Sequence, residues 1–491
     1  MKQHSTVSRR DFMKALGLGG AVGIGAVTTP VFHDLDEAID FAQSDFKSIT
    51  SMQKRPWWVK EVDKPTVEID LTKRTAFSGM NAANGVISGA QLTSNQLQLR
   101  NEMWAANGDA AARANKSGFK ARDQIAAAAA LMRVANTASG TMNMLPTPPQ
   151  GFRNVPLTLA NMGCPKWDAT PEENTYMLRT IVRKFGGGLM GIARIDNNDL
   201  GPRDRMFNPP NATIIDADDF VMDSGSLGIP RNCKWAVCIT DGRLNDDERH
   251  MTGSIQYFSF LQEKYEWIHK VQNFLWGLGF QSYNVGDAGN PATPSNFWGY
   301  VSGVGEYNRT HNPNVTPEGN IGNGAIMLIT DLPLCETKAI DFGVLRFCKT
   351  CGVCAEACPA DAIPTTDEQK ETTWEVEAQP WRAASPDHKR YVNNSAKCAF
   401  WYMTNTTRGV LGTAGHGRPL GACGRCANFC VFSKGDKAII HEMVKATTSM
   451  TSLFNGFFST MDRQSDYFRE PSVEERDNVW RKYIGPISQH V

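Results

Sequence analysis

The clearest hydrophobic pattern in the chain runs from Thr170 to Gly186. Tyr176, Leu178, Ile181 and Val182 recur at helical spacing, Thr170 and Glu173 form the two halves of a capping box, Pro171 suits the first turn, and Gly186 ends the segment. Three runs, Leu189–Ile195, Lys234–Thr240 and Ala325–Thr330, read as strands. A long amphipathic helix is expected from about Phe258 to Leu278, and the Ala-rich stretch Ile125–Ala138 is a strong helix former, so the region before 160 reads as mainly helical. Strands alternating with helices between about 160 and 335 predict a layered α/β or α+β domain.

Composition narrows the function. The 491 residues are enough for two or three globular units, and 41% hydrophobic with 21% charged residues is ordinary for a folded protein. Lys+Arg and Asp+Glu balance at 51 each, so no global field favours nucleic acid or anionic lipid, and nucleic acid is not expected as a partner. The 12 cysteines change the picture most: eight fall in the last 150 residues at close spacings. Disulfides between residues two or three apart would close loops too short to remove much chain entropy. Ligation of metal or cluster is the better reading.

The N-terminus, Ser8-Arg9-Arg10-Asp11-Phe12-Met13-Lys14 followed by a weakly apolar stretch from Ala15 to Val27, resembles a twin-arginine export signal. Glycines at 17, 19, 20, 23 and 25 make that stretch a poor membrane span, which needs about 20 apolar residues. Cleavage is expected between Thr28 and Gln43. Because the twin-arginine route carries folded proteins, it suits one that acquires a cofactor before export.

The strongest motif is Cys348-x2-Cys351-x2-Cys354-x3-Cys358-Pro359, the bacterial ferredoxin run for 4Fe–4S binding. Three thiolates in a tight loop serve corners of one cubane and the fourth points to a second. Pro359 turns the backbone away, and Gly352 lets the loop pass close to inorganic sulfide. Cys398 and then Cys423-x2-Cys426-x3-Cys430 follow. In the two-cluster pattern Cys348, Cys351, Cys354 and Cys430 hold the first cubane, and Cys358, Cys398, Cys423 and Cys426 the second. Val431 stands where a Pro would follow Cys430, and 24 residues separate Cys398 from Cys423; both depart from the pattern. Four-cysteine zinc sites are the alternative. Two clusters make an electron wire with potentials on the order of −400 mV or lower, and a wire needs a terminus.

Several upstream stretches then converge on one family. Arg55-Pro56-Trp57-Trp58-Val59-Lys60, Leu278-Gly279-Phe280, Gly303-Val304-Gly305-Glu306-Tyr307-Asn308-Arg309 and Thr330-Asp331-Leu332-Pro333-Leu334 resemble, in order and spacing, elements of corrinoid-dependent reductive dehalogenases of the respiratory, twin-arginine exported type. With the signal and both cysteine sets the resemblance covers nearly the whole chain. It implies an α+β fold: a signal at 1–32, a mainly helical region at 33–160 that wraps the corrinoid, a nitroreductase-like corrinoid and substrate domain at 161–340, a two-cluster ferredoxin-like domain at 341–445, and an extension at 446–491. It also implies a cobalamin-type corrinoid bound base-off beside the nearer of two 4Fe–4S clusters. The chain has no D-x-H-x-x-G motif to offer a histidine below cobalt, in agreement with that family. An open lower face favours reduction to Co(I), and the cofactor carries the difficult step.

The resemblance further places the proton donor at Tyr257, with Tyr265 as competitor, and a partner cation at Arg309. A guanidinium stabilises a phenolate and makes the phenol a better acid. Implied partners are an organohalide, a small integral-membrane anchor subunit and a donor in the membrane electron-transfer chain, with the protein peripheral on the outer face of the cytoplasmic membrane. An epoxyqueuosine reductase-like corrinoid enzyme and a non-catalytic iron–sulfur subunit are the other readings. Asn284 is a further candidate for a pocket hydrogen bond, and Gly186-Gly187-Gly188 reads as a helix stop or a close approach to the cofactor. Trp57 and Trp58 read as channel lining or as anchors of the N-terminal segment, and Cys164, Cys233, Cys238 and Cys335 read as small buried hydrophobes.

Overall fold

In the computed structural model the described residues are 49–50, 53–73, 93–104, 106, 157–195, 212–223, 226–240, 267–268, 270–284, 295–310, 315–320, 326–375, 388–394, 396–398, 400–401, 408–409, 418–419, 425–433, 439–464, 472–478 and 480. The export signal, the helix expected at Ile125–Ala138, and Tyr257, Tyr265 and Cys423 lie outside them.

The architecture is mixed helix and sheet, as an α+β chain requires. Its elements include strand β1 (Lys60–Val62), helix α1 (Pro171–Phe185), β2 (Met190–Arg194), β3 (Trp235–Ile239), β4 (Ser282–Asn284), α2 (Ser295–Val301), β5 (Ile326–Thr330) and β6 (Ala339–Asp341). The cysteine-bearing end continues with α3 (Val344–Cys351), α4 (Val353–Glu356), α5 (Arg425–Asn428), α6 (Ile439–Met450) and α7 (Asn455–Gln464). The three strands expected from the sequence are β2, β3 and β5, each within a residue of its predicted bounds at most ends. α1 has the predicted capping box, and Gly186 closes it at φ 111°. One part of its predicted stripe differs: Leu178 and Val182 are buried, but Tyr176 is exposed, because the buried face runs through Asn174, Thr175, Leu178 and Val182.

A four-stranded sheet in the order β2-β3-β5-β4 organises this half, with every neighbouring pair antiparallel. Its register pairs Ile192 with Val237 and Val237 with Leu328, so these side chains share one face. That face packs against Leu178 and Val182 of α1 and against Ile268, Val271 and Leu275 of the long helix, whose described part 270–277 is helical. Each such aliphatic side chain, once buried, contributes about 1.5–3 kcal/mol. The opposite face carries Ala193, Ala236, Cys238, Ile329 and Tyr283 and meets an aromatic layer that includes Phe297, Trp298 and Tyr300 of α2. Gly191 sits where a Cβ would lie 2.4 Å from the Ser302 carbonyl oxygen, so α2 can approach β2 only over a glycine.

The N-terminal segment is stitched to the cysteine-bearing end. β1 pairs antiparallel with β6, and Arg55 Nη2 donates to the Gly303 carbonyl at 2.9 Å. Trp58 is buried at 1% exposure with its ring 5.7 Å from that of Phe342. Trp58 is therefore an anchor in the core shared with Phe342, Val344 and Phe347. Of the cysteines expected to be buried, Cys233 and Cys238 are; Cys335 is half-buried, and Cys164 is exposed in the turn-rich stretch before α1. Among the described residues, no helix is long and apolar enough to cross a membrane.

Candidate functional site

Cysteine placement follows from short helices and the turns between them. α3 presents Cys348 and Cys351 one turn apart, Gly352 reverses the chain at φ 68°, and α4 then presents Cys354. Cys348, Cys351 and Cys430 pack into one core with Phe347, Phe429 and Phe432. Cys354 joins Cys358 and Cys426 in an adjoining cluster around Ile363.

The thiols act on one another electrostatically. Burial, then Cys430, pushes the Cys348 thiol up to about 12. Cys351 and Cys354 are raised well above the usual thiol value, first by burial; Cys348 and Cys430 repel both, and Cys354 also feels Cys426. Buried and close together, these thiols favour their protonated form. Cys348, Cys351 and Cys430 share one core and Cys354 lies in the adjoining one, within electrostatic reach of all three. None of the described cysteines is tied into a disulfide. Among the described residues, no three His, Cys, Asp or Glu groups converge as around a single metal ion.

The second group is less enclosed. Ala362 N donates to Cys358 Sγ at 3.4 Å, Asn394 N to the Ala362 carbonyl at 2.7 Å, and Cys398 N to the Asn394 carbonyl at 3.2 Å. That chain of bonds laces the Cys398 turn to the Cys358 turn, although Cys398 itself is exposed.

Charged groups complement both ends of α3. At its start Asp341 Oδ1 accepts from Gly343 N at 2.9 Å, and Glu306 Oε2 accepts from Phe342 N at 2.7 Å and Val344 N at 3.2 Å. At its end Arg309 donates to the Cys348 carbonyl from Nε at 3.1 Å and Nη2 at 2.8 Å, and Arg463 of α7 donates to the Cys351 carbonyl. Arg309 Nη1 reaches the carbonyls of Pro364, Thr365 and Gln369, and its guanidinium lies 4.1 Å from the centre of the Tyr391 ring. Burial, reinforced by Asp341, pushes Glu306 up to about 7 against three hydrogen bonds that pull the other way.

Sequence reasoning expected Arg309 to face a phenol at Tyr257. The structure shows a different set of partners for it, four backbone carbonyls of the cysteine segment, while Tyr257 lies outside the described residues. Asn284 is buried at the end of β4. Sequence reasoning missed three features. Glu306, one residue of the Gly303–Arg309 motif, is a buried anchor. Tyr283 is 1% exposed, stacked on Phe220 at 4.9 Å, and its hydroxyl has no hydrogen-bond partner; burial raises its pKa. Tyr300, Tyr307, His388 and Tyr391 form a packed set in which Tyr300 Oη and His388 Nδ1 are 3.3 Å apart and Tyr391 N donates to Tyr307 Oη at 3.0 Å. The set Phe220, Tyr283, Tyr300, Tyr307, His388 and Tyr391 could not be assembled from spacing, since its members come from four separate segments.

This aromatic layer is continuous with the thiols: Cys348 packs against the core that holds Phe220, Tyr283, Tyr307 and Tyr391. Within this layer the rings are apolar, and the buried Tyr283 hydroxyl lacks a partner. The donor set of soft thiols fits iron–sulfur clusters.

The fold and site thus define an α+β protein in which a dense thiol assembly abuts a buried aromatic layer. The profile described as "Reductive dehalogenase subunit" matches residues 54–201. Over 98% of this chain and 97% of its own length, the trichloroethene reductive dehalogenase of Dehalococcoides mccartyi strain 195 is 24% identical. The chloroethene reductive dehalogenase of strain VS is 26% identical over 99% of this chain and 98% of its own. The chain is thus similar over nearly its whole length to reductive dehalogenases. Solved structures share its fold. A reductive dehalogenase whose structure suggests a mechanism for B12-dependent dehalogenation aligns at TM-score 0.56 and 16% identity, over 84% of this chain and 49% of that one. A catabolic reductive dehalogenase in complex with 3-bromo-4-hydroxybenzoic acid aligns equally well, at TM-score 0.56 and 16% identity. The chain spans about half the length of these solved proteins.

Proposed function

We propose that the protein is a reductive dehalogenase catalysing R–X + 2 e⁻ + H⁺ → R–H + X⁻. The observation that carries this reading is the contact between the thiol assembly and the aromatic layer through Cys348. Cys348, Cys351, Cys354 and Cys430 would hold the first 4Fe–4S cluster, and Cys358, Cys398, Cys423 and Cys426 the second. A corrinoid in the aromatic layer, when bound, supplies a strongly reducing cobalt centre. The Tyr283 hydroxyl is a candidate partner for one of its polar edges.

The chain's own residues then position and protonate. Tyr257 gives its phenolic proton to the substrate carbon as halide leaves. Arg309 is fixed by neutral carbonyls, so its positive charge is not cancelled and is available to stabilise a phenolate or a departing halide. The aromatic layer keeps water away from the reducing centre. A nitroreductase-like core at 161–340 and a ferredoxin-like unit at 341–445 suit this division of labour. Export by the twin-arginine route, attachment at the outer face of the membrane through a small anchor subunit, and an electron donor in the membrane complete the proposal.

The test is anaerobic purification followed by cofactor analysis and assay with reduced viologen and a panel of organohalides. The reading expects about eight iron atoms per chain, one corrinoid, and halide release from at least one compound. Clusters without corrinoid would make the protein an electron carrier instead.

A further inference from the structure

α3 carries two of the first cluster's ligands, yet it has eight residues and lacks a cap of its own. Short helices are costly to nucleate, so what satisfies their end groups decides whether they hold their place. The N-cap position is Gly343 at φ 89°, where a Cβ would lie 2.2 Å from the Thr448 carbonyl oxygen. No capping side chain can stand there, because α6 approaches too closely. The cap has to come from elsewhere.

Glu306 supplies it from 38 residues upstream. One carboxylate oxygen takes the amides of Phe342 and Val344, and the other accepts from Thr66 Oγ1 at 2.9 Å. The loop behind it is fixed, since Glu306 and Val315 exchange both backbone hydrogen bonds, at 2.8 and 2.9 Å. Gly303, at φ 69°, lets that loop press onto Lys338, whose carbonyl oxygen would be 1.9 Å from a Cβ. Three residues beyond Glu306, Arg309 holds the carbonyl of Cys348 in the last turn. One loop thus grips both ends of α3, with a carboxyl acceptor at its N-terminus and a guanidinium donor near its C-terminus. Both side chains are 1% exposed.

We infer that Glu306 is a positioning residue for the first cluster: its carboxylate spans to the start of α3 and, with Arg309, sets the axial position of Cys348 and Cys351 against the aromatic layer. The inference rests on the two-cluster reading. What matters is reach, because the two amides must be met by an oxygen at that distance; Gln preserves reach and removes charge, whereas Asp preserves charge and falls one methylene short.

The experiment compares Glu306→Gln and Glu306→Asp in the full holoenzyme by amide hydrogen exchange and by EPR-monitored redox titration. With Asp, exchange at residues 342–351 should quicken about tenfold, the loss expected from an undone cap. The first cluster's midpoint potential should shift while the second cluster's stays. With Gln, exchange in α3 and the EPR line shape should match the wild type. An Asp variant like the wild type overturns the inference, as does a Gln variant whose α3 amides exchange faster. Should Asp fail to fold, the Gln result decides alone. A wild-type protein with no cluster signal would defeat the two-cluster reading, and the exchange data would still decide the clamp.

Discussion

The two faces of the central sheet have been built for different ends. Toward α1 and the long helix the face is aliphatic: Ile192, Val237 and Leu328 meet Leu178, Val182 and Leu275, and every one is fully buried. Toward the cysteine segment the face meets tyrosines, a histidine and a buried arginine, with a hydroxyl at Tyr283 that nothing satisfies. Burying polar groups of this kind costs stability unless each is hydrogen-bonded. A protein selected for stability alone would make both faces alike. The difference suits the proposed function, with chemistry on the aromatic side and an aliphatic side that holds it up.

Substitutions on either side sharpen that contrast. The largest effect is expected at Tyr257, where Phe should slow halide release about 10²–10⁴-fold and leave iron and corrinoid contents unchanged; if Tyr265→Phe does this instead, the donor has been misassigned. On the aliphatic face, Leu178→Ala should cost about 2–5 kcal/mol in denaturant unfolding, while kcat for the folded fraction stays at the wild-type value. A fall in kcat that matches the loss of stability would blur the division between the faces.

Glu306 links stability to pH. Its pKa rises from 4.5 to about 7 in the fold, so the folded state holds this proton more tightly than the unfolded chain does. Its contribution is therefore intact below pH 4.5 and is lost as pH rises through about 7. Measured against Glu306→Gln, wild-type stability should drop by on the order of 3 kcal/mol at most across that window. The smallest effect is expected at Tyr283. Phe removes a partnerless hydroxyl and should stabilise the cofactor-free protein by about 1 kcal/mol, yet weaken corrinoid retention on dialysis. Unchanged retention would remove Tyr283 from the cofactor's surroundings.

Local features were legible in the sequence wherever the physics is local. The capping box of Thr170 and Glu173, the stop at Gly186 and the strands β2, β3 and β5 depend on neighbours within a few residues. The cysteine spacing was legible for the same reason, since Cys348, Cys351 and Cys354 lie on two successive short helices. Tyr176 departs from the expected stripe because it lies one position beyond Thr175 on the edge of the face that α1 buries. The Glu306 anchor and the carbonyl partners of Arg309 were not legible. They join residues 36 to 60 apart, and backbone carbonyls such as those of Pro364 and Gln369 leave no trace in residue type. Likewise, the orphaned Tyr283 hydroxyl depends on what the fold withholds from it, which no local pattern records.

The central claim is that the C-terminal thiols deliver electrons one at a time to a centre in the aromatic layer, where a carbon–halogen bond is reduced. Its most direct test is the stoichiometry of viologen oxidised to halide released by the purified holoenzyme under strict anaerobiosis. The account predicts two electrons per halide. Halide released without viologen oxidation would mean hydrolytic or eliminative chemistry, and would contradict it.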